Sequence, residues 1–362
     1  MSGHRETIRA VDLFCGVGGL THGLRRGGIE VVAGADLDGS CRFAYERNNS
    51  PSMFVERDVN LLTSREVIDL FGNAPVKLLA GCAPCQPFST YARSDRKRNG
   101  GDSDDGDWSL VASFGRLVRE VQPDLVTMEN VPQLLLHKVF GEFLLALTGY
   151  HVEWLVVDCE RIGVPQTRKR LVLMASRLGP LRLAALEAEM TVETVRSRIA
   201  GLPRLKAGQA DAHDLLHVAC ELSPLNLQRI RASKAGGTWR DWPEELRAVC
   251  HRKSTGATYP SVYGRMEWDK PAPTITTQCF GYGNGRFGHP EQDRAITLRE
   301  AAILQTFPAD YAFLDERELL SFSRMGRLIG NAVPVRLGEV IAETFLIHQE
   351  HHASNTDLRC LR

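Results

Sequence analysis

The sequence predicts an α/β fold: a mostly parallel sheet with helices on both faces, followed by a smaller second domain. Short apolar runs alternate with segments of helical period through the first half of the chain. Glycines, prolines or acids stop those runs abruptly. After Arg177 the rhythm ends and turn residues take over.

Taken in order, Ile8–Phe14 reads as a buried strand stopped by Gly16, Gly18 and Gly19, and Leu20–Arg26 as a short helix closed by Gly27 and Gly28. Val31–Ala35 is a second strand ending in Asp36 and Asp38, with a helix over Ser40–Asn48 behind it. Val76–Ala80 is a strand that runs into Gly81-Cys-Ala-Pro-Cys-Gln-Pro87. Leu110–Val121 has helical period and Pro123 ends it. Leu125–Met128, Val152–Asp158 and Arg170–Ala175 complete the strands. From residue 178 to around Pro290 the chain carries Gly236-Gly237, Pro260, Pro271, Pro273 and the glycines from Gly281 to Gly288. Leu298–Leu304 and Val335–Phe345 return to helix. The change after Arg177 marks a second, smaller domain.

The chain has 362 residues, 43% of them hydrophobic, which is enough to bury a sizeable core. No apolar run approaches the roughly 18 residues of a membrane helix, and Met1–Ala10 has no signal-peptide core. A soluble, cytoplasmic protein is expected. Lys plus Arg and Asp plus Glu both number 44, a balance that neither announces nor excludes nucleic-acid binding. Local basic clusters occur at Arg93–Arg98, at Arg168-Lys-Arg170 and at Arg252-Lys253. The nine cysteines form no disulfide framework, which favours a reducing compartment.

The chemistry-bearing motifs fall at strand ends, where ligands of such sheets bind. Asp12-Leu-Phe-Cys-Gly-Val-Gly-Gly19 joins a strand to a helix and lets the backbone approach a ligand closely. Asp36, at the next strand end, is placed to accept hydrogen bonds from ribose hydroxyls. The G-x-G-G spacing favours an adenosine-type ligand over a dinucleotide. Pro84-Cys85-Gln86-Pro87 sets a thiol on a rigid turn, and a thiolate is a strong nucleophile. Cys82-x-x-Cys85 also reads as a redox pair or as half of a zinc site. Glu129, directly after a strand, is an acid that desolvation can turn into a proton donor. In Gln166-Thr-Arg168-Lys-Arg170, alternation places both arginines on one face, suited to a phosphate or carbonyl oxygen. Gly330-Asn331-Ala-Val333-Pro334 opens a terminal helix. The polar loop to Asp107 is a candidate lid.

The order of these motifs resembles that of the DNA (cytosine-5)-methyltransferases of bacterial restriction–modification type. The resemblance continues through Tyr263-Gly-Arg-Met266, Pro273-Thr-Ile-Thr276, Gly285-Arg-Phe-Gly-His-Pro290 and Thr297-Leu-Arg-Glu300. It implies a Rossmann-like, S-adenosylmethionine-dependent methyltransferase domain over 1–177 with 325–362, a smaller inserted target-recognition domain and hinge over 178–324, and double-stranded DNA in the cleft between them. By the same resemblance Cys85 is the nucleophile, Glu129 protonates or hydrogen-bonds the cytosine, and Arg168 and Arg170 form the family's arginine pair. Phe14, Gly16, Gly18, Gly19, Asp36, Leu37, Asp58, Pro84, Asn331 and Val333 are implied as contacts of S-adenosylmethionine, with S-adenosylhomocysteine as product. Leu37 departs from the aromatic residue of many relatives, and Asp105-Gly-Asp-Trp108-Ser-Leu110 matches its family segment only loosely.

The implied reaction methylates C5 of a cytosine flipped out of a specific duplex sequence, without a metal, by a monomer. A cognate restriction endonuclease acting on the same site is an implied companion. Three alternatives stand beside this reading: a transfer-RNA cytosine-5 methyltransferase, a catalytically silent DNA-binding protein, and a thiol redox protein. The redox reading requires Cys82, whereas the methyltransferase reading gives Cys82 no role and predicts that Cys82→Ala is tolerated.

Overall fold

A computed structural model of the chain describes residues 6–84, 108–188, 190–253, 256 and 261–360. Cys85, the basic cluster Arg93–Arg98 and the expected lid up to Asp107 lie outside the described residues. The chain divides into two compact units: Met1–Asp158, Lys169–Ala188 and Val335–Arg362 form the first, and Cys159–Arg168 with Glu189–Pro334 the second.

In chain order the first unit begins β1 (Ile8–Leu13), α1 (Gly19–Arg26), β2 (Glu30–Asp36), α2 (Arg42–Asn49), β3 (Met53–Glu56), α3 (Ser64–Phe71) and β4 (Val76–Gly81). It continues α4 (Ser109–Val121), β5 (Leu125–Asn130), α5 (Lys138–Ala146), β6 (His151–Asp158), β7 (Lys169–Ser176) and α6 (Ala184–Glu187). The second unit's α7 (Val195–Ile199), α8 (Pro224–Ala232), α9 (Leu298–Leu304) and α10 (Phe322–Asn331) follow, and α11 (Val335–Cys360) returns to the first.

The strands form one seven-stranded sheet in the order β3-β2-β1-β4-β5-β7-β6. Strands β1 to β5 pair in parallel, and β7 runs antiparallel to both β5 and β6. The chain lays strands outward from β1 to β3, then returns to place β4 on the other side of β1. This reversal opens a crevice beyond the carboxyl ends of β1 and β4, where sheets of this type bind ligands. Leu13 and Gly81, the last residues of those strands, are register partners.

Strand alternation assigns the two faces. Val11, Leu13, Leu79, Val126, Met128, Leu171 and Leu173 pack with Val67, Phe71, Phe114, Leu117 and Phe143 from α3, α4 and α5. The opposite face carries Asp12 and Ser176, bonded to Thr21 of α1 at 2.7 Å and to His348 of α11 at 2.8 Å. α1 and α11 approach so closely that a Cβ on Gly23 would lie 2.2 Å from the Val335 carbonyl oxygen, which is why a glycine stands there.

The expected strands and helices of the first half are present, with ends shifted by one or two residues. β5 extends through Asn130, so Glu129 belongs to the strand and not to the loop after it. β3, α3 and α5 were not expected from the sequence. Gly330 and Asn331 close α10 instead of opening the terminal helix, which starts at Val335. The boundaries also differ from the sequence-based ones: 178–188 falls in the first unit, while 159–168 and 325–334 fall in the second. Segment 159–168 is drawn in by ladder-like bonds, Thr167 N–H to the Ala272 carbonyl (2.9 Å) and Ala272 N–H to that of Pro165 (2.8 Å). Gln166 adds to this by donating to the Leu304 carbonyl and accepting from Ile275 N–H, at 2.7 and 2.8 Å.

The second unit is built from turns and short helices around a small aromatic core of Trp239, Trp242 and Tyr282 with Ile230. Among the described residues, no helix is long and apolar enough to cross a membrane.

Candidate active site

Beyond β1 the chain enters a tight loop with left-handed backbone at Phe14 (φ 60°), Gly16 (φ 51°) and Gly18 (φ 89°). A left-handed non-glycine residue such as Phe14 costs on the order of 1–3 kcal/mol, and such strain persists only where the surroundings impose it. Here they do: Gly18 N–H donates to the Cys15 carbonyl, Cys15 N–H to that of Ala35, and Gly16 N–H to Oδ2 of Asp36 at 2.9 Å. A Cβ at Gly16 would meet no atom within 4 Å, so the backbone borders open space next to the start of α1.

Two carboxylates underlie this loop. Asp36 was expected to be available to ribose hydroxyls. In the structure Oδ2 accepts from Gly16 N–H and Oδ1 from Asp38 N–H, each at 2.9 Å, so Asp36 first of all shapes the loop. Asp12 is buried, and its Oδ2 accepts from the Thr21 hydroxyl. Its Oδ1 has no hydrogen-bond partner among the described residues. Burial pushes the Asp12 carboxyl up to about 7, against the Thr21 hydrogen bond and with the help of the Asp36 charge. Burial and the same two acids also raise the Cys15 thiol well above its ordinary range. Leu37, 67% exposed, offers an apolar surface beside them. An open cradle, an orphaned buried acceptor and an exposed apolar side chain fit a ligand that combines hydroxyls, a cationic centre and an aromatic base. Asp58 follows β3 and accepts from Asn60 N–H at 2.9 Å, while Gly19 opens α1.

The second cluster lies at the ends of β4, β5 and β7. Glu129 is the penultimate residue of β5 and its side chain is 3% exposed. The Cys82 thiol, one residue past β4, donates to its Oε2 at 2.6 Å. Arg170 Nε lies 2.8 Å from Oε1. That ion pair is not aligned as a hydrogen bond, and Oε1 receives no aligned donor among the described residues. β7 runs antiparallel to β5, so Arg170 near its start meets the carboxyl end of β5. The next residue, Asn130, donates from Nδ2 to the Ala83 carbonyl at 3.1 Å, while its Oδ1 accepts from Val131 N–H. Asn130 thereby ties the segment entering Cys85 to the strand that carries Glu129. Pro84 is exposed at that entrance.

Other expected residues belong to the second unit. Arg168 precedes β7 and is buried in the second unit, where Nη1 donates to the Ile275 carbonyl at 3.1 Å. The arginine pair therefore does not share one strand face, because the strand begins only at Lys169. Asn331 is exposed at the end of α10 and Val333 is buried, both also in the second unit. Sequence reading missed Cys82 and Asn130. The former's signal was masked by its Cys-x-x-Cys spacing, yet its thiol donates to Glu129. Among the described residues no group of metal-ligating side chains is assembled.

Comparison with known proteins adds to this geometry. A family model described as C-5 cytosine-specific DNA methylase matches residues 8–346. The chain is 51% identical over 340 residues to the Type II methylase M.HgiDII of Herpetosiphon aurantiacus, covering 92% of this chain and 94% of that protein. It is 31% identical to the Type II methyltransferase M1.BsuMI of Bacillus subtilis, over 93% of this chain and 80% of that one. Its fold is shared with a prophage-encoded Escherichia coli protein described as a DNA modification methyltransferase, at TM-score 0.68 and 22% identity, over 94% of this chain and 98% of the other.

Proposed function

The chain belongs to the C-5 cytosine-specific DNA methylases, and from that premise we propose how its own residues methylate DNA. The enzyme transfers a methyl group from S-adenosylmethionine to C5 of cytosine in DNA. The observation that carries our mechanism is Glu129, buried at the end of β5, with a guanidinium beside one oxygen and the chain leading to Cys85 pinned to the same strand end by Asn130.

Cytosine C5 is too weak a nucleophile to be methylated unaided. The Cys85 thiolate adds to C6, forming an S–C bond and leaving C5 enamine-like. Glu129 holds or delivers a proton at N3, and Arg170 offsets charge that develops around the ring. S-adenosylmethionine supplies an electrophilic methyl group when bound. Loss of the C5 proton then expels the thiolate and restores the double bond. The base must leave the duplex to be reached, at a cost of a few kcal/mol. The loop from Phe14 to Gly19, with Asp12, Asp36, Leu37, Asp58 and Pro84, holds the cofactor. Family membership alone carries Arg168, Asn331 and Val333 into the proposed set.

The second unit is the target-reading module. It carries a cleft bordered by Arg265, Glu267, Lys270 and Arg286; Lys270 pairs with Glu267 at 2.9 Å, and the exposed Arg286 is suited to a phosphate oxygen. The Type II designation of the relatives supports a role in restriction–modification, beside a cognate endonuclease that would act on the same sequence. Bisulfite sequencing of DNA from cells expressing the chain tests this reading. Protected cytosines in one sequence context are expected with the native chain and none with Cys85→Ala. Unprotected DNA in both cases would refute the activity, and equal protection would refute the nucleophile.

A further inference from the structure

Cys82 is the residue at this site that neither the family resemblance nor the proposed mechanism uses. We propose that it is a positioning residue: its thiol fixes the carboxylate of Glu129 for the proton step. The inference rests on the reading of Glu129 given above. The terminal torsion of a glutamate side chain is broad and roughly two-fold, so one contact leaves the carboxylate free to swing. The Cys82 Sγ–H donates to Oε2 at 2.6 Å while Arg170 Nε lies 2.8 Å from Oε1. One contact per oxygen fixes the plane.

The Cys82 contact is the aligned hydrogen bond of the two; Oε1 beside Arg170 has no aligned donor among the described residues. Cys82 thus occupies the oxygen that the reaction leaves alone and keeps Oε1 for the proton shared with N3 of the base. A thiolate at Cys82 would face a carboxylate at this distance, so Cys82 acts as the neutral donor. The two cysteines of Cys82-x-x-Cys85 therefore take different jobs, one tied to the acid and one left for attack. β4 enforces the placement: Cys82 N–H donates to the Leu13 carbonyl at 3.3 Å, which holds its backbone at the sheet end.

The test compares Cys82→Ala, Cys82→Val and Cys82→Ser, each in the native and the Glu129→Gln background, by steady-state methyl transfer to target duplex and by thermal melting. Ala and Val both lack a donor and bracket the thiol in size, so a packing defect in one is checked by the other. Both are expected to lower kcat about tenfold, the effect of one lost hydrogen bond to a charged group, with KM for DNA unchanged within about twofold. Cys82→Ser, which keeps a donor, is expected to retain kcat within about threefold. In the Glu129→Gln background none of the three should lower kcat further. Native kcat in both donor-less variants would overturn the proposal, as would equal losses in Ser and Ala or an undiminished loss in the Glu129→Gln background. Native kcat in Glu129→Gln alone would instead overturn the role of Glu129, which separates the two failures.

Discussion

Among the described residues two buried glutamates face arginines, Glu129 in the first unit and Glu300 in the second. Glu300 is 1% exposed and opens α9 in a capping box with Thr297. Arg294 grips both of its oxygens at 2.7 Å, and Thr297 N–H donates to Oε2 at the same distance. Burial alone would push this carboxyl up, but the Arg294 hydrogen bonds and charge, with His289 and Thr297, hold it below the usual carboxylate range. Both oxygens are bonded, and the pair holds a helix start. Glu129 is nearly as buried, yet its arginine approaches one oxygen out of line and its other partner is a thiol. A saturated pair is structure. A pair with an idle acceptor at the carboxyl end of a strand is poised for a ligand.

That contrast predicts opposite phenotypes. Glu129→Gln should lower kcat by about two to three orders of magnitude, the range of a lost general acid, while costing no more than about 1–2 kcal/mol of stability. Arg170 is 15% exposed and also donates to the Lys169 carbonyl, so it tolerates the loss of its partner. Glu300→Gln should destabilise by about 3–5 kcal/mol, because it strands the fully buried Arg294. Kinetics paired with denaturant titration check both. A stability loss in Glu129→Gln as large as in Glu300→Gln would erase the distinction.

Smaller effects sharpen it through pH. Asp12 is raised to about 7 in the fold, above the ordinary Asp value near 3.9. Its protonated form is favoured in the native state, so its contribution is present below about pH 4 and is lost as pH rises through about 7. Asp12→Asn should flatten the decline in melting temperature over that window. Glu300 is depressed, so its contribution is present above the ordinary Glu value near 4.3 and is lost as pH falls below it. Melting curves of Glu300→Gln should lose that acid-side slope. Matching slopes in the native protein and either variant would remove the corresponding carboxyl from the account.

Much of this was legible in the sequence, and the exceptions have physical causes. The strands of the first unit stand out because they are apolar runs stopped by glycine or acids, as at Leu13 and Gly81. β3 escaped because it is four residues long with Met53 exposed. α3 did carry a readable signal, the Thr63-x-x-Glu66 capping box, before a short amphipathic run. The motifs at Asp12–Gly19, Cys85 and Glu129 could be read because their residue types and order are specific. Arg168 and Arg170 were read as one strand face because alternation was applied across a boundary that pairing with Ala272 sets at Lys169. Cys82 was passed over because its partner lies 47 residues away and only the sheet brings them together.

The central claim is that the thiol of Cys85 attacks a cytosine whose ring Glu129 supports. Single-turnover methyl transfer from S-adenosylmethionine to a target duplex by Cys85→Ser, with DNA binding measured on the same preparation, tests it most directly. Retained DNA binding with no detectable transfer is the expected result. Transfer at a rate comparable to that of the native chain would contradict it.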